Sequence, residues 1–251
     1  MMYGCGIGPV TGEKQQKQVR KTLNRHVDLI TLRDPESLET LKEFGVTEPE
    51  IHVTADPAML MQGDQKLSER YLEQNGLDPK GKYCMFVLRP WGEGVHEMIE
   101  DISDVAAHVW KKYGLMPVFF SFEPHRDQEI NALAASGVDI PCKILPPISD
   151  GKVLCGLISR MELVVSMRLH ALIFACSQRT RIVGISYDPK VSGFMNYLGS
   201  DNCVELSEVN FRDLWAKVDK ALNEPEMSEK LDHLKALAAE NGYMAGRLLR
   251  E

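Results

Sequence analysis

Residues 163–175 read Leu163-Val164-Val165-Ser166-Met167-Arg168-Leu169-His170-Ala171-Leu172-Ile173-Phe174-Ala175, an apolar, buried-type strand that turns directly into an apolar helix. That combination is what a parallel α/β sheet requires. The same alternation recurs on both sides. Downstream, a helix over 168–178 leads to a strand over 181–187; upstream come strand 83–88, helix 94–113, strand 116–122, helix 127–136, strand 143–145 and helix 149–159. Five or six such repeats predict a doubly wound, Rossmann-like sheet. Beyond them, 206–223 is amphipathic. Apolar residues at 231, 234, 237, 238, 245, 248 and 249 predict a terminal helix packed by one face and interrupted near Asn241-Gly242.

A shorter alternating stretch precedes these repeats. Met1 to Pro9 reads as a short strand entering a glycine-rich turn, followed by a polar helix over 12–25 and a strand over 27–33. Pro35 sits at a first helical position, 38, 41 and 44 form an apolar stripe, Gly45 stops the helix, and 51–55 is a further strand. The chain then turns polar from 62 to 82 and includes the breaker Asp78-Pro79-Lys80-Gly81. These features divide it into a remnant of a first Rossmann-like domain (1–62), a linker (63–82), a second Rossmann-like domain (83–223) and a terminal helical segment (224–251). A parallel strand at Met2 needs neighbours on both sides, so the chain is expected to begin in mid-domain.

With 251 residues there is room for one large domain or two small ones, and 44 % hydrophobic with 26 % charged residues is an ordinary globular composition. The formal net charge of −7 argues against broad attraction to nucleic acids or anionic membranes. No stretch approaches the roughly 18 apolar residues of a membrane span, and the first residues lack a secretory pattern, so a cytoplasmic location without a transmembrane segment is expected. The six cysteines, at 5, 84, 142, 155, 176 and 203, contain no close pair. Neither a zinc site nor a thioredoxin-like motif is supported, and all six are expected reduced.

In an open parallel sheet, ligands bind outside the carboxyl ends of the strands. Arg33-Asp34, Asp56, Arg89, Ser166 to His170 and Asp188-Pro189-Lys190 occupy those positions, which aims cations and a histidine at one rim of an acidic protein and suggests an anionic small molecule. Ser166 can cap the following helix, Arg168 offers a planar fork for two oxygens, and His170 can exchange a proton near neutral pH. The bland alternative is a satisfied core histidine beside a surface arginine. On a regular helix residues two apart diverge, so Arg168 and His170 can share a ligand only if the first turn is irregular. Gly4-Cys5-Gly6-Ile7-Gly8-Pro9 departs from the dinucleotide fingerprint at Pro9, yet Gly6 and its neighbours could let backbone amides approach a ligand closely. Asp34, Asp56 and Asp188 each precede a proline and could simply open turns. Glu123-Pro124-His125-Arg126-Asp127 carries metal-ligand residue types, with helix capping by Asp127 the preferred reading. Trp91 and His96, near Arg89, could line a pocket, with surface placement preferred.

Taken together, Gly4 to Pro9, Leu32-Arg33-Asp34-Pro35-Glu36-Ser37, Ala55-Asp56-Pro57-Ala58, Ser166-Met167-Arg168-Leu169-His170-Ala171 and Gly184-Ile185-Ser186-Tyr187-Asp188-Pro189-Lys190-Val191 resemble, in order, the polysaccharide pyruvyl transferase family, and more narrowly its CsaB branch. The resemblance implies an α/β fold of two Rossmann-like domains of GT-B type, the first one incomplete here. It implies transfer of the enolpyruvyl group of phosphoenolpyruvate to a sugar as a ketal, with no cofactor beyond that donor. The acceptor would be a lipid-linked cell-wall polysaccharide precursor, modified at the inner face of the membrane, and the product would anchor S-layer proteins. By the same resemblance His170, Arg168 and Arg33 are catalytic, with Lys190, Arg89, Gly6, Ser166 and Asp188 in substrate binding and no metal. His170 is the candidate acid; Asp188 and Asp34 stay open as the base. Two departures stand out: family members begin about a hundred residues earlier, and Cys5 stands where glutamine is more usual. A chain made as written is therefore expected to be incomplete on its acceptor side, which leaves open whether it is active or inactive as a fragment. Two other readings remain, a nucleotide-sugar glycosyltransferase of the same architecture and a non-catalytic sugar- or anion-binding module.

Overall fold

The computed structural model describes residues 1–92, 98–225 and 227–249. The start of the helix expected over 94–113, and His96 with it, lies outside the described residues. The chain divides into two compact units, Met1–Leu60 with Ser228–Glu251, and Met61–Met227.

The first unit is built on a parallel three-stranded sheet of β1 (Met2–Cys5), β2 (Leu29–Leu32) and β3 (Glu50–Val53), in that order. All four residues of β2 are buried, as befits a central strand. Helix α1 (Glu13–His26) joins β1 to β2, and α2 (Pro35–Phe44) joins β2 to β3. The local signals for α2 act as their chemistry dictates: Asp34 Oδ1 accepts the Ser37 N–H at 2.8 Å, Pro35 opens the first turn, and Gly45 ends the helix with φ 76° in the left-handed region. Leu23, Ile30, Leu32, Leu41 and Val46 form the core of this unit.

In the second unit, α3 (Gln65–Gln74) precedes β4 (Tyr83–Val87), α4 (Met98–Tyr113), β5 (Met116–Phe120), α5 (Pro124–Ser136) and β6 (Lys143–Leu145). Then come α6 (Gly151–Ile158), β7 (Met161–Ser166), α7 (Leu169–Ser177), β8 (Arg181–Ser186), α8 (Pro189–Leu198), β9 (Cys203–Glu205) and α9 (Phe211–Asn223). The six strands are parallel in the order β6-β5-β4-β7-β8-β9. This is the doubly wound Rossmann order, and its direction reverses between β4 and β7. Phe86, Phe119, Val165 and Val183, on four adjacent strands, are completely buried.

Several elements differ from the sequence expectations. The residues assigned to a linker, 63–82, contain α3, which packs on α6 within the second unit. Gly63 and Gly156 permit this, since a Cβ on Gly63 would lie 2.4 Å from the Gly156 backbone nitrogen. Helix α8 and strand β9 were not anticipated, although Asp188-Pro189 at the start of α8 repeats the Asp34-Pro35 signal of α2. The terminal helix, α10 (Ser228–Leu248), belongs to the first unit and is not interrupted at Asn241-Gly242. Asn241 is fully buried there: its Oδ1 accepts from Thr54 Oγ1 at 2.9 Å, and its Nδ2 donates to the carbonyls of Ala55 and Ala238, each at 2.9 Å. A polar residue mid-helix thus acts as an anchor to the end of β3.

Candidate functional site

The crevice of a Rossmann sheet opens where strand order reverses, at the carboxyl ends of β4 and β7. Three connections meet there: Leu88 to Trp91 after β4, Ser121 to Glu123 after β5, and Met167-Arg168 after β7. Their side chains cross the rim in two directions.

Arg168 reaches toward β5. Its backbone is extended, φ −88° and ψ 118°, so it stands ahead of α7 and not within its first turn. The buried Ser166 hydroxyl accepts the Arg168 N–H at 2.8 Å, fixing this bend without capping the helix proper. The Arg168 guanidinium donates from Nε to Asp127 Oδ2 at 3.1 Å and from Nη2 to Asp127 Oδ1, while Nη1 donates to Glu123 Oε1 at 2.6 Å. Asp127 has no exposed surface, and the Arg168 side chain keeps 9 % of its own. Asp127 Oδ2 also accepts the Glu123 N–H at 2.9 Å, so it ties down the start of α5 as well. Burial disfavours the Arg168 charge, but these carboxylates outweigh it and hold the guanidinium more firmly protonated than usual. The expected surface-arginine alternative is therefore corrected: Arg168 belongs to a buried ion pair, because its fork fits the Asp127 carboxylate edge to edge. Glu123 and Asp127 point to this guanidinium, and no group of three ligand-type residues able to hold a metal occurs among the described residues.

His170 is exposed two positions further on, in the first turn of α7, with its ring 6.2 Å from that of Phe174. Phe174 in turn stacks on Phe122 at 6.1 Å. Arg168 therefore borders Glu123 and Asp127 through its charges, while His170 lies beside Phe174, whose other neighbour is Phe122.

Arg89 reaches the other way, across the end of β7 toward β8. Its Nη1 donates to Tyr187 Oη at 2.6 Å, and its guanidinium carbon lies 4.9 Å from the Tyr187 ring centre and 5.1 Å from that of Trp91. Trp91 and Tyr187 are themselves 4.8 Å apart, so the guanidinium rests against two ring faces and keeps its charge at the rim. Lys190 Nζ lies 5.3 Å from the same Tyr187 ring and 3.6 Å from Asp188 Oδ2. Asp188 Oδ1 accepts the Lys190 N–H at 3.1 Å as the cap of α8.

The remaining candidates lie in the first unit. The Arg33 guanidinium is laid over Gly6, where a Cβ would come within 2.9 Å of Nε. Its Nη1 pairs with Asp56 Oδ2 at 3.2 Å, and its Nε stands 3.6 Å from Asp34 Oδ2. Burial pushes the adjacent Cys5 thiol up despite the Arg33 charge. A cavity of about 440 Å³ opens beside this turn, lined by Gly6, Ile7, Val10, Val19 and other apolar or uncharged residues. Its lining suits an anion poorly, in contrast to the cationic rim of the second unit. All three acids that precede prolines, Asp34, Asp56 and Asp188, accept a backbone N–H two or three residues on. Turn chemistry is thus a property of each, whatever further role it has.

Sequence reasoning did not identify Tyr187, Glu123 or the Asp127 ion pair as parts of this site. The available signal was positional, since each directly follows a strand or begins the helix after it.

A sequence model of the polysaccharide pyruvyl transferase family matches residues 1–189. The chain belongs to this family. The match spans every rim residue described above except Lys190. No curated protein shows a significant match to this pyruvyl transferase family member. Solved structures of similar fold include the UDP-GlcNAc 2-epimerase from Neisseria meningitidis bound to UDP-GlcNAc, with TM-score 0.60 and 15 % identity over 89 % of this chain and 62 % of that one. The Methanocaldococcus jannaschii UDP-GlcNAc 2-epimerase in complex with UDP-GlcNAc and UDP gives TM-score 0.58 and 15 % identity over 79 % of this chain and 55 % of that one. The E. coli ADP-heptose lps heptosyltransferase II gives TM-score 0.52 and 10 % identity over 84 % and 80 %. At such identities the likeness is one of fold, the GT-B type of α/β architecture. The chain spans about three-fifths of the length of the two epimerases.

Proposed function

We propose that this pyruvyl transferase family member takes phosphoenolpyruvate as donor and forms a pyruvate ketal on a sugar of a cell-wall polysaccharide precursor, as in the CsaB-like branch. The observation that carries this reading is the gathering of Arg168, Arg89 and Lys190, with His170, at the sheet end where strand order reverses. Phosphoenolpyruvate carries a carboxylate and a phosphate on one small frame, which calls for separate cations held at fixed spacing.

In the proposed reaction His170 protonates the methylene carbon of the donor, and positive charge develops on the neighbouring carbon. A sugar hydroxyl adds there and loses its proton, the carbon–oxygen bond to phosphate breaks, and a second hydroxyl closes the ketal as its proton is lost. One of the two hydroxyl protons restores His170, and the other leaves with hydrogen phosphate. Arg168 and Arg89 hold the donor's acidic groups, and Lys190 stabilises the departing phosphate. Ser166 holds the Arg168 bend. Asp188 or Asp34 relays a hydroxyl proton on its way to His170 or the phosphate, and Arg33 and Gly6 keep the catalytic and substrate-binding roles that the family resemblance gives them. A lipid-linked acceptor would place the reaction at the cytoplasmic face of a membrane. No helix among the described residues is long and apolar enough to cross one.

Thermal shift with phosphoenolpyruvate, UDP-sugars and free cell-wall sugars, followed by phosphate release in the presence of acceptor, tests the reading. Stabilisation by phosphoenolpyruvate with acceptor-dependent phosphate release is the expected result. Stabilisation by UDP-sugars alone would replace it with a glycosyltransferase, and stabilisation by sugar alone with a binding module.

A further inference from the structure

The cationic rim already contains an anion. Glu123 Oε1 lies 2.6 Å from Arg168 Nη1, and Glu123 Oε2 lies 3.4 Å from Arg126 Nη1. The two carboxylates on Arg168 are not equivalent, however. Asp127 is wholly buried and bound through two guanidinium nitrogens, whereas the Glu123 side chain is 49 % exposed and bound through one. Partial desolvation works against the Glu123 charge, but the hydrogen bond from Arg168 and the charges of Arg168, Arg126 and Arg89 outweigh it and hold this carboxyl below its usual range. Glu123 accordingly feels the same three arginines that an acidic ligand at this rim would feel. Its side chain caps no backbone N–H at the start of α5, so its one contact with that helix is the exposed ion pair with Arg126.

We infer that Glu123 is a displaceable internal anion: its carboxylate occupies the place on Arg168 Nη1 that an acidic group of the bound substrate takes, and on binding it moves away while keeping Arg126 as its partner. The inference rests on the proposed function for the identity of the substrate, and on the geometry alone for the exchange. Asp127 stays paired in both states, so the guanidinium plane does not turn. The exchange requires only that the exposed half of the pair be replaced by an equivalent charge, and Arg126, itself 65 % exposed, is placed to follow the carboxylate into solvent. An uncharged or singly weak ligand would not displace Glu123, so the same device favours strongly acidic ligands over neutral sugars. A site that must first release its own anion binds more weakly by the fraction of time it is open.

Calorimetric titration of inorganic phosphate and of phosphoenolpyruvate into the whole chain, its Glu123→Gln variant and its Arg126→Ala variant tests this. Glu123→Gln is expected to bind both anions about tenfold more tightly and to lower KM without raising kcat. Arg126→Ala, which deprives the released carboxylate of its second partner, is expected to bind them several-fold more weakly. Glu123→Ala repeats the first comparison without the amide. Unchanged or weaker binding in both Glu123 variants overturns the inference, because a purely supporting Glu123 would lose binding when neutralised; absence of binding in every protein overturns it as well. If phosphate binding tightens as expected but phosphoenolpyruvate is neither preferred nor turned over, the exchange stands and the proposed substrate fails. If phosphoenolpyruvate is turned over while Glu123→Gln gains nothing, the reverse holds.

Discussion

Arg168 and Asp127 meet edge to edge across the carboxyl end of β4, with the Asp127 carboxylate wholly buried and bound by both Nε and Nη2 of the guanidinium. The two residues follow strands that flank β4 on opposite sides. Their pairing therefore braces the floor of the crevice and presets the plane of the guanidinium.

Removing Asp127 leaves the nearly buried Arg168 charge with only the half-exposed Glu123 to offset it. Asp127→Ala is expected to destabilise the protein by about 3–5 kcal/mol in urea denaturation, and Arg168→Met in the same background to recover a large part of that loss. A loss under about 1 kcal/mol for Asp127→Ala would show that solvent reaches the pair.

Tyr187 orients Arg89 through its hydroxyl and its ring. Tyr187→Phe keeps the ring and deletes the acceptor, so under the proposed function it is expected to raise KM for phosphoenolpyruvate about tenfold, roughly the worth of one hydrogen bond to a charged group, with a smaller effect on kcat. Tyr187→Ala is expected in addition to expose Trp91 further and move tryptophan emission to longer wavelength. Unaltered emission in that variant would mean the two rings are not in contact in solution.

Two glycines should respond oppositely to the same added methyl group. On Gly156 in α6 a Cβ would stand 2.5 Å from the Asp64 carbonyl oxygen, a backbone atom that can yield only if α6 and the start of α3 separate. Gly156→Ala is expected to cost about 1–3 kcal/mol. Gly246 in α10 has nothing within 4 Å of its Cβ position, so Gly246→Ala is expected to stabilise by about 0.5–1 kcal/mol through helix propensity. Thermal melting of both variants checks the pair.

The Asp219 carboxyl is lowered from its ordinary 3.8 by its hydrogen bonds with Lys112 and Tyr113, against a smaller desolvation. Its contribution is therefore present above the ordinary carboxyl value and disappears as pH falls through the lowered one. Lys112 is raised from 10.5, first by its hydrogen bond to Asp219, so its contribution is present below that value and disappears as pH rises through the raised one. Asp219→Asn is expected to flatten the acid limb of the melting-temperature profile below about pH 4 while leaving the differences among neutral pH values small. An acid limb identical to wild type would dismiss the pair as a contributor.

Much of the fold was legible because burial and capping are local properties. The buried run Leu163 to Ser166 of β7 and its immediate helix, the Asp34-Pro35 opening and Gly45 ending of α2, and the charged residues after each strand all follow from side-chain type at short spacing. Helix α8 was missed although it opens with the same Asp-Pro pair, because its loop residues were weighed as ligands and not as a cap. Asn241-Gly242 read as a break for the converse reason: a polar side chain disfavours a helix interior only when it lacks partners elsewhere, and here Thr54 and Ala55 supply them.

The amino-acid order alone determined that strands and helices alternate, that the strands lie parallel, and that cations gather at their carboxyl ends, since each depends on neighbours within a few positions. Only the tertiary structure decided that Arg168 takes Asp127 and Glu123 as partners, that Arg89 lies against Trp91 and Tyr187, and that the last helix joins the first unit. Apart from Arg89 and its near neighbour Trp91, those pairings join residues 41 to 187 positions apart. Which of them meet is set by the order in which strands assemble side by side, and that order is decided by the packing of whole strand faces and not by any single stretch of chain.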